Sequence, residues 1–265
     1  MVSPNVIVIA GYGINCERET QFAFEKAGAQ ADVMHINDII QAPARLGDYQ
    51  ILVFPGGFSY GDDTGSGRAF ANRVRNHLGD AVREFVERGK LVIGICNGFQ
   101  ILTNLGLVPA FNREGVPEVA LVHNDGARYI DRWVDVAFSG HSPWTRNVGT
   151  ISLPIAHGEG KLHADEQFLQ RMRAGNLIAG RYVEGEICRH QSLQANPNGS
   201  LDDIAALSDL SGHVLGMMPH PERAIDFTHL PHWTYLREHY QRGSKPIPEE
   251  GPGLQIFRNG VSYFE

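Results

Sequence analysis

A chain of 265 residues with a formal net charge of −7 is long enough for a sizeable core, in one large α/β domain or two small ones. Its acids and bases are interspersed, so it offers no basic face for a phosphate backbone, which argues against nucleic acid as a partner. The first apolar run is too short for a signal segment or a membrane span, and Cys16, Cys96 and Cys188 lie too far apart for a disulfide framework or a C-x-x-C zinc pattern. The expectation is a cytoplasmic protein with free thiols, no bound metal and no membrane partner.

The chain opens with short β-branched runs alternating with helix-like stretches: Val6 to Ala10, Cys16 to Ala27, Ala31 to Ile36, then Ile51 to Pro55. That rhythm is the pattern of a parallel sheet built from βα units. A helix-like stretch from Leu78 to Arg88 is closed by Gly89, Leu91 to Ile95 reads as a buried central strand, and Asn97 to Leu105 reads as a helix stopped by Gly106. Beyond residue 106, Trp133 to Phe138 and Thr150 to Ile155 alternate as half-exposed antiparallel strands do. They are expected to be a small elaboration of one domain covering residues 1–265. Val214 to Met218 returns to the buried-strand pattern, and His232 to Tyr240 suits a helix. The Pro- and Gly-rich stretch from Gly243 to Gly253 suits a wrapping loop or a flexible arm, the start of a C-terminal extension at residues 243–265.

Three motifs stand at the ends of expected strands. Gly94-Ile95-Cys96-Asn97-Gly98 has the G-x-nucleophile-x-G layout of a strand-to-helix elbow, a turn sharp enough to favour glycine on both sides. The helix N-terminus there favours a thiolate and leaves backbone N–H groups for a developing oxyanion. Alone, the pattern serves an inert core thiol about equally well. Pro55-Gly56-Gly57-Phe58-Ser59-Tyr60-Gly61-Asp62 follows its strand at the carboxyl edge of the sheet, where open α/β folds place ligands. We assign the N–H of Gly57 as an oxyanion donor beside that of Asn97. Gly65-Ser66-Gly67 lacks the G-x-x-x-x-G-K pattern of a nucleotide cradle.

Met218-Pro219-His220-Pro221-Glu222-Arg223 ends the last buried strand. Pro221 holds His220 extended, and extended residues two apart face the same way, so His220 and Glu222 stand side by side. In such a pair the carboxylate fixes the imidazole while its other nitrogen takes a thiol proton.

With these motifs the sequence resembles the class I, triad-type glutamine amidotransferases, and within them the glutaminase subunits of phosphoribosylformylglycinamidine synthase. The resemblance runs from near residue 5 to near residue 225 and includes His157-Gly158-Glu159-Gly160. It implies an open, mostly parallel, flavodoxin-like sheet flanked by helices. It further implies Cys96 as nucleophile, His220 as base, Glu222 as its orienting acid, and Gly57 and Asn97 as oxyanion hole. Gly56, Phe58 and Gln100 would line the glutamine pocket, and the backbone around His157, Gly158 and Glu159 would hold the amino-acid end of the substrate. The first βα turn, Gly11-Tyr12-Gly13-Ile14-Asn15-Cys16, departs from the shorter P-G-S-N-C-D form common in the family, and Cys16 reads as a packing residue.

The resemblance also implies partners: L-glutamine, an ATP-dependent synthase subunit that takes the ammonia, and a small third subunit. It implies no cofactor in this chain, with ATP and magnesium on the synthase. The rival readings are a glutaminase for another synthase, a cysteine hydrolase on the same elbow, and a non-enzymatic interaction module with a dead site.

Overall fold

The computed structural model describes residues 3–62, 65–112 and 115–265. In chain order the elements are β1 (Asn5–Ala10), α1 (Glu17–Lys26), β2 (Gln30–His35), α2 (Ile36–Gln41), β3 (Ile51–Phe54), α3 (Arg68–Glu87), β4 (Leu91–Ile95) and α4 (Asn97–Leu105). There follow β5 (Ala120–His123), β6 (Ile130–Phe138), β7 (Thr150–His157), β8 (Glu159–His163), α5 (Glu166–Ala174), β9 (Ile178–Val183) and α6 (Glu186–Gln191). The last elements are β10 (Ile204–Ser208), β11 (Val214–Met217), α7 (Trp233–Arg242) and α8 (Leu254–Ser262). Among the described residues no helix is long and apolar enough to cross a membrane.

Strands β2, β1, β3, β4 and β11 lie side by side and run parallel. Every residue of β3, β4 and β11 is buried, as strands covered on both faces must be. Because β3, β4 and β11 are parallel neighbours, their carboxyl ends stand together, and the loops at Pro55, Cys96 and His220 leave the same edge. Helix α3 begins at Arg68, earlier than the sequence pattern shows. Its stripe of Phe70, Ala71, Val74, Leu78, Val82 and Phe85 is buried throughout, but arginines and asparagines dilute the first half.

The antiparallel strands do more than decorate the sheet. In hydrogen-bonding order β10, β9, β6 and β7 continue it from β11, and β5 pairs separately with β8. This half curls back on itself: the carbonyl of Pro154, in edge strand β7, accepts the N–H of His220 beyond β11 at 2.8 Å. The curl carries Ala156 and His157, at the end of β7, over to the carboxyl edge of the parallel half.

The Pro- and Gly-rich tail is a strap. Phe227 N–H donates to Glu249 O at 3.0 Å, Gly251 N–H to Ile225 O at 2.9 Å and Gly253 N–H to Ala224 O at 2.8 Å. The strap delivers α8, a helix not expected from sequence, into the core. Phe257 is fully buried and meets Phe24 edge-on at 4.9 Å, and Asn259 Nδ2 donates to the carbonyls of Trp144 and Arg146. Phe257→Ala is expected to lower stability by about 3–5 kcal/mol. In urea unfolding this appears as a lower midpoint at unchanged m-value; an unchanged midpoint would show that α8 is not part of the cooperative core.

Candidate active site

Cys96 stands between β4 and α4 with φ 51° and ψ −105°, a conformation that L-residues avoid. The surroundings enforce it. Cys96 N–H donates to Met217 O at 2.8 Å, tying the turn to β11. A Cβ on Gly94 would stand 2.6 Å from Gly98 O, and one on Gly98 would stand 1.8 Å from Phe54 O, so glycine is required on both sides of the cysteine. The Sγ atom lies 3.7 Å from Ala156 O, against the curled edge of β7.

Among the described residues, the N–H groups of Gly57 and Asn97 have no hydrogen-bond acceptor. Gly57 faces Ile14 in a bridge whose hydrogen bonds are made by Phe58 and Asn15, and Asn97 belongs to the first turn of α4. The Asn97 side chain supports the glycine loop, its Oδ1 accepting from Ser59 N–H at 3.3 Å.

His220 and Glu222 are buried side by side, with Nδ1 2.5 Å from Oε1. Burial alone would push the imidazole pKa down, but the charge of Glu222, followed by the sulfurs of Cys96 and Cys16, holds it well above 6.5. Among the described residues its Nε2 is buried with no partner at hydrogen-bonding geometry. Space for the ring comes from Gly56, where a Cβ would stand 2.7 Å from His220 Cε1. Gly56 therefore makes room for the base and does not line the cavity.

Cys16 is buried beside this pair. Arg223 Nη2 donates to its Sγ at 3.0 Å, and the thiol donates to Asn15 Oδ1 at 3.2 Å. Its sulfur and ligand atoms of His220 and Glu222 all lie within 4.8 Å of one another. The packing role expected for Cys16 understates this position, which joins residues 207 apart in the chain.

In front of Cys96 lies a cavity of about 220 Å³. Of the residues expected from sequence, Gly57, Phe58, Cys96, Gln100, His157, Gly158 and Glu159 line it; Asn97, His220 and Glu222 do not. Asp62, Ser66, His123, Tyr129 and Ala156 line it as well and had no assigned role. Of these only Asp62 and Ser66 fall in glycine-rich stretches that stand out in the sequence. Burial pushes the His157 pKa down to about 3, with repulsion from His220 adding to it, so this ring is neutral.

A buried thiol on a strained elbow, free N–H groups beside it and a carboxylate-clamped imidazole behind it are the parts of a cysteine acyl-transfer site. The profile of the CobB/CobQ-like glutamine amidotransferase domain matches residues 3–264, and the chain belongs to that family. It is 45% identical to the phosphoribosylformylglycinamidine synthase subunit PurQ of Methanococcus maripaludis strain C5, covering 98% of both chains. It is 38% identical to the PurQ subunit of Dehalococcoides mccartyi strain 195, over 99% of this chain and 98% of that one. Among solved structures, PurLQS from Thermotoga maritima superimposes with a TM-score of 0.73 at 29% identity over the whole of both chains. Another glutamine amidotransferase from Thermotoga maritima, at 12% identity and a TM-score of 0.55 over 100% of this chain and 98% of that one, shares the fold.

The raised pKa of His220 has a sign that can be tested. Its folded value stands above 6.5, so the stability it contributes is fully present below pH 6.5 and is lost as pH rises through the folded value. In Glu222→Gln the ring keeps its burial and loses the carboxylate. Its Cε1 proton, followed by NMR, is expected to titrate below 6.5 in the variant and well above it in the wild type. A variant that still titrates above 6.5 would show that Glu222 is not what holds the imidazolium.

Proposed function

We propose that this chain hydrolyses the side-chain amide of L-glutamine at Cys96 and passes the ammonia to an ATP-dependent synthase subunit that makes formylglycinamidine ribonucleotide in cytoplasmic purine synthesis. The observation that carries the reading is the placement of Cys96. Cys96 lines a cavity of about 220 Å³, and its sulfur acts on the His220 imidazole that Glu222 clamps. The Methanococcus and Dehalococcoides relatives are both named as subunits of phosphoribosylformylglycinamidine synthase, and both match over nearly the whole chain.

In this reading the Cys96 thiolate attacks the amide carbon, and the oxyanion rests on the N–H groups of Gly57 and Asn97. The His220 imidazolium gives its proton to the departing ammonia as the tetrahedral intermediate collapses to a γ-glutamyl thioester. Neutral His220 then takes a proton from water, hydroxide adds to the thioester, and glutamate leaves as the thiol is restored. Glu222 keeps the imidazole oriented through both steps. Ammonia released into open water would be protonated and lost, so the chain works docked to its synthase, together with a small third subunit. ATP and magnesium act on the synthase.

The test is the purified complex assayed with glutamine and, separately, with ammonium chloride. Cys96→Ala is expected to lower glutamine-dependent synthesis by at least about 10³-fold while ammonia-dependent synthesis persists. Labelling by 6-diazo-5-oxo-norleucine should fall on Cys96 and be blocked by glutamine. Glutamine-dependent synthesis that survives in Cys96→Ala, or a glutaminase rate unaffected by adding the synthase, would contradict the proposal.

A further inference from the structure

The pair that orients the base is itself held from behind. Cys16 is buried in the turn between β1 and α1, and its backbone N–H donates to Gly56 O at 3.2 Å, which ties that turn to the glycine loop after β3. A Cβ on Gly56 would stand 2.7 Å from His220 Cε1 and 3.2 Å from Cys16 Sγ, so imidazole and sulfur meet over the same bare backbone. The Cys16 carbonyl accepts from Thr20 N–H at 3.1 Å and from the Thr20 hydroxyl at 2.7 Å, and its thiol donates to Asn15 Oδ1 at 3.2 Å. The sulfur is therefore fixed in place.

Arg223 completes the chain of contacts. Its Nη2 donates to Cys16 Sγ at 3.0 Å, and its Nε stands 3.9 Å from Glu222 Oε1, the oxygen that His220 Nδ1 meets. At 3.9 Å the guanidinium and the carboxylate attract one another without a hydrogen bond. An arginine beside a carboxylate commonly closes on it through two parallel N–H···O bonds, an arrangement stronger than a bond to sulfur, a weak acceptor. Here that closure is not made, although among the described residues Glu222 Oε2 is buried without a hydrogen-bond partner and is open to a donor. The position of Cys16 accounts for this. Its sulfur engages Nη2 and lies within 4.8 Å of ligand atoms of both His220 and Glu222, in the space that a closing guanidinium would have to enter.

We propose that Cys16 is a positioning residue: by holding the Arg223 guanidinium off Glu222 it keeps the carboxylate on His220; its catalytic consequence rests on the glutaminase reading above. Without the sulfur, the guanidinium turns onto Glu222, and the group that orients the imidazole through both proton transfers is shared with a permanent cation. The cavity in front of Cys96 is lined by neither Cys16 nor Arg223, so glutamine binding stays as it is. A second buried thiol thus stands beside the base without entering any step of the reaction.

The groups that face the imidazole are Glu222 on its own loop, Cys96 before α4, Cys16 before α1, Tyr129 before β6 and His157 at the end of β7. Burial pushes the pKa of the ring down, and Glu222 leads the contributions that raise it. Cys16→Ala removes one of the smaller contributions and, through Arg223, weakens the leading one.

The experiment compares wild type, Cys16→Ser, Cys16→Ala, Arg223→Met and the double variant Cys16→Ala/Arg223→Met. In the synthase complex, Cys16→Ala is expected to lower kcat for glutamine hydrolysis about 10- to 100-fold at an unchanged KM, the range of one charge-assisted hydrogen bond. In the full chain, the His220 Cε1 proton followed by NMR should titrate at lower pH in Cys16→Ala than in the wild type. Cys16→Ser keeps an acceptor for Arg223 and should retain both wild-type values. Adding Arg223→Met to Cys16→Ala should restore kcat and the titration to those of Arg223→Met alone, because no guanidinium is left to draw the carboxylate away. If Cys16→Ala does not fold, Cys16→Val, which fills the space and offers no acceptor, takes its place with the same expected results. A double variant as impaired as Cys16→Ala would show that Cys16 only fills space and would overturn the proposal. His220 titrating alike in wild type and Cys16→Ala would overturn it as well, whereas a wild-type complex that does not hydrolyse glutamine contradicts the glutaminase reading.

Discussion

A non-glycine residue held at φ 51° and ψ −105° costs about 1–3 kcal/mol, and the packing around Cys96 supplies what keeps it there. Gly94 and Gly98 allow the backbones of β4, α4 and β3 to close on one another, and the Cys96 N–H is bonded to β11. The turn places the thiol at the start of α4, where the unpaired N–H groups and the helix dipole favour a negative sulfur or oxygen. The loop after β3, the His–Glu pair after β11 and the cavity all take their positions from this turn.

The second wall of the site comes from the antiparallel half. Only because β7 curls back to Pro154–His220 contact do Ala156 and His157 reach Cys96, and only then does Glu159 come near Asp62. The two halves divide the electrostatics. On the parallel side, a cationic His220 is balanced by Glu222 and flanked by two sulfurs. On the other, His157 is kept neutral by burial, and Glu159 lines the cavity, where its charge acts on Asp62 from the loop after β3.

Much of this was legible in the sequence because it is local. The buried strands announce themselves as apolar runs, and glycines flank Cys96 because of steric contacts made within a few residues and one neighbouring strand. His220-Pro221-Glu222 encodes its own side-by-side geometry. What was not legible is made by long-range packing. The first half of α3 hides Phe70, Ala71 and Val74 among arginines and asparagines, and α8 lies behind a Pro- and Gly-rich strap that reads as an end of structure. Arg223 and Cys16 meet across the whole chain, and the pairing of Asp62 with Glu159 depends on a curl that alternation of side chains cannot specify. Gly56 was expected in the pocket and instead makes room for His220, a role that only the relative placement of two strands decides.

Covalent capture of the substrate by Cys96 is tested most directly by acid quenching. The complex is mixed with L-glutamine, stopped in acid within a turnover, digested and read by mass spectrometry. A γ-glutamyl group on the peptide containing Cys96, absent in Cys96→Ala and accumulating in His220→Asn, where deacylation lacks its base, is the expected result. Glutamate formed at the normal rate with no adduct on Cys96 at any time, or an adduct on Cys16 instead, would contradict it.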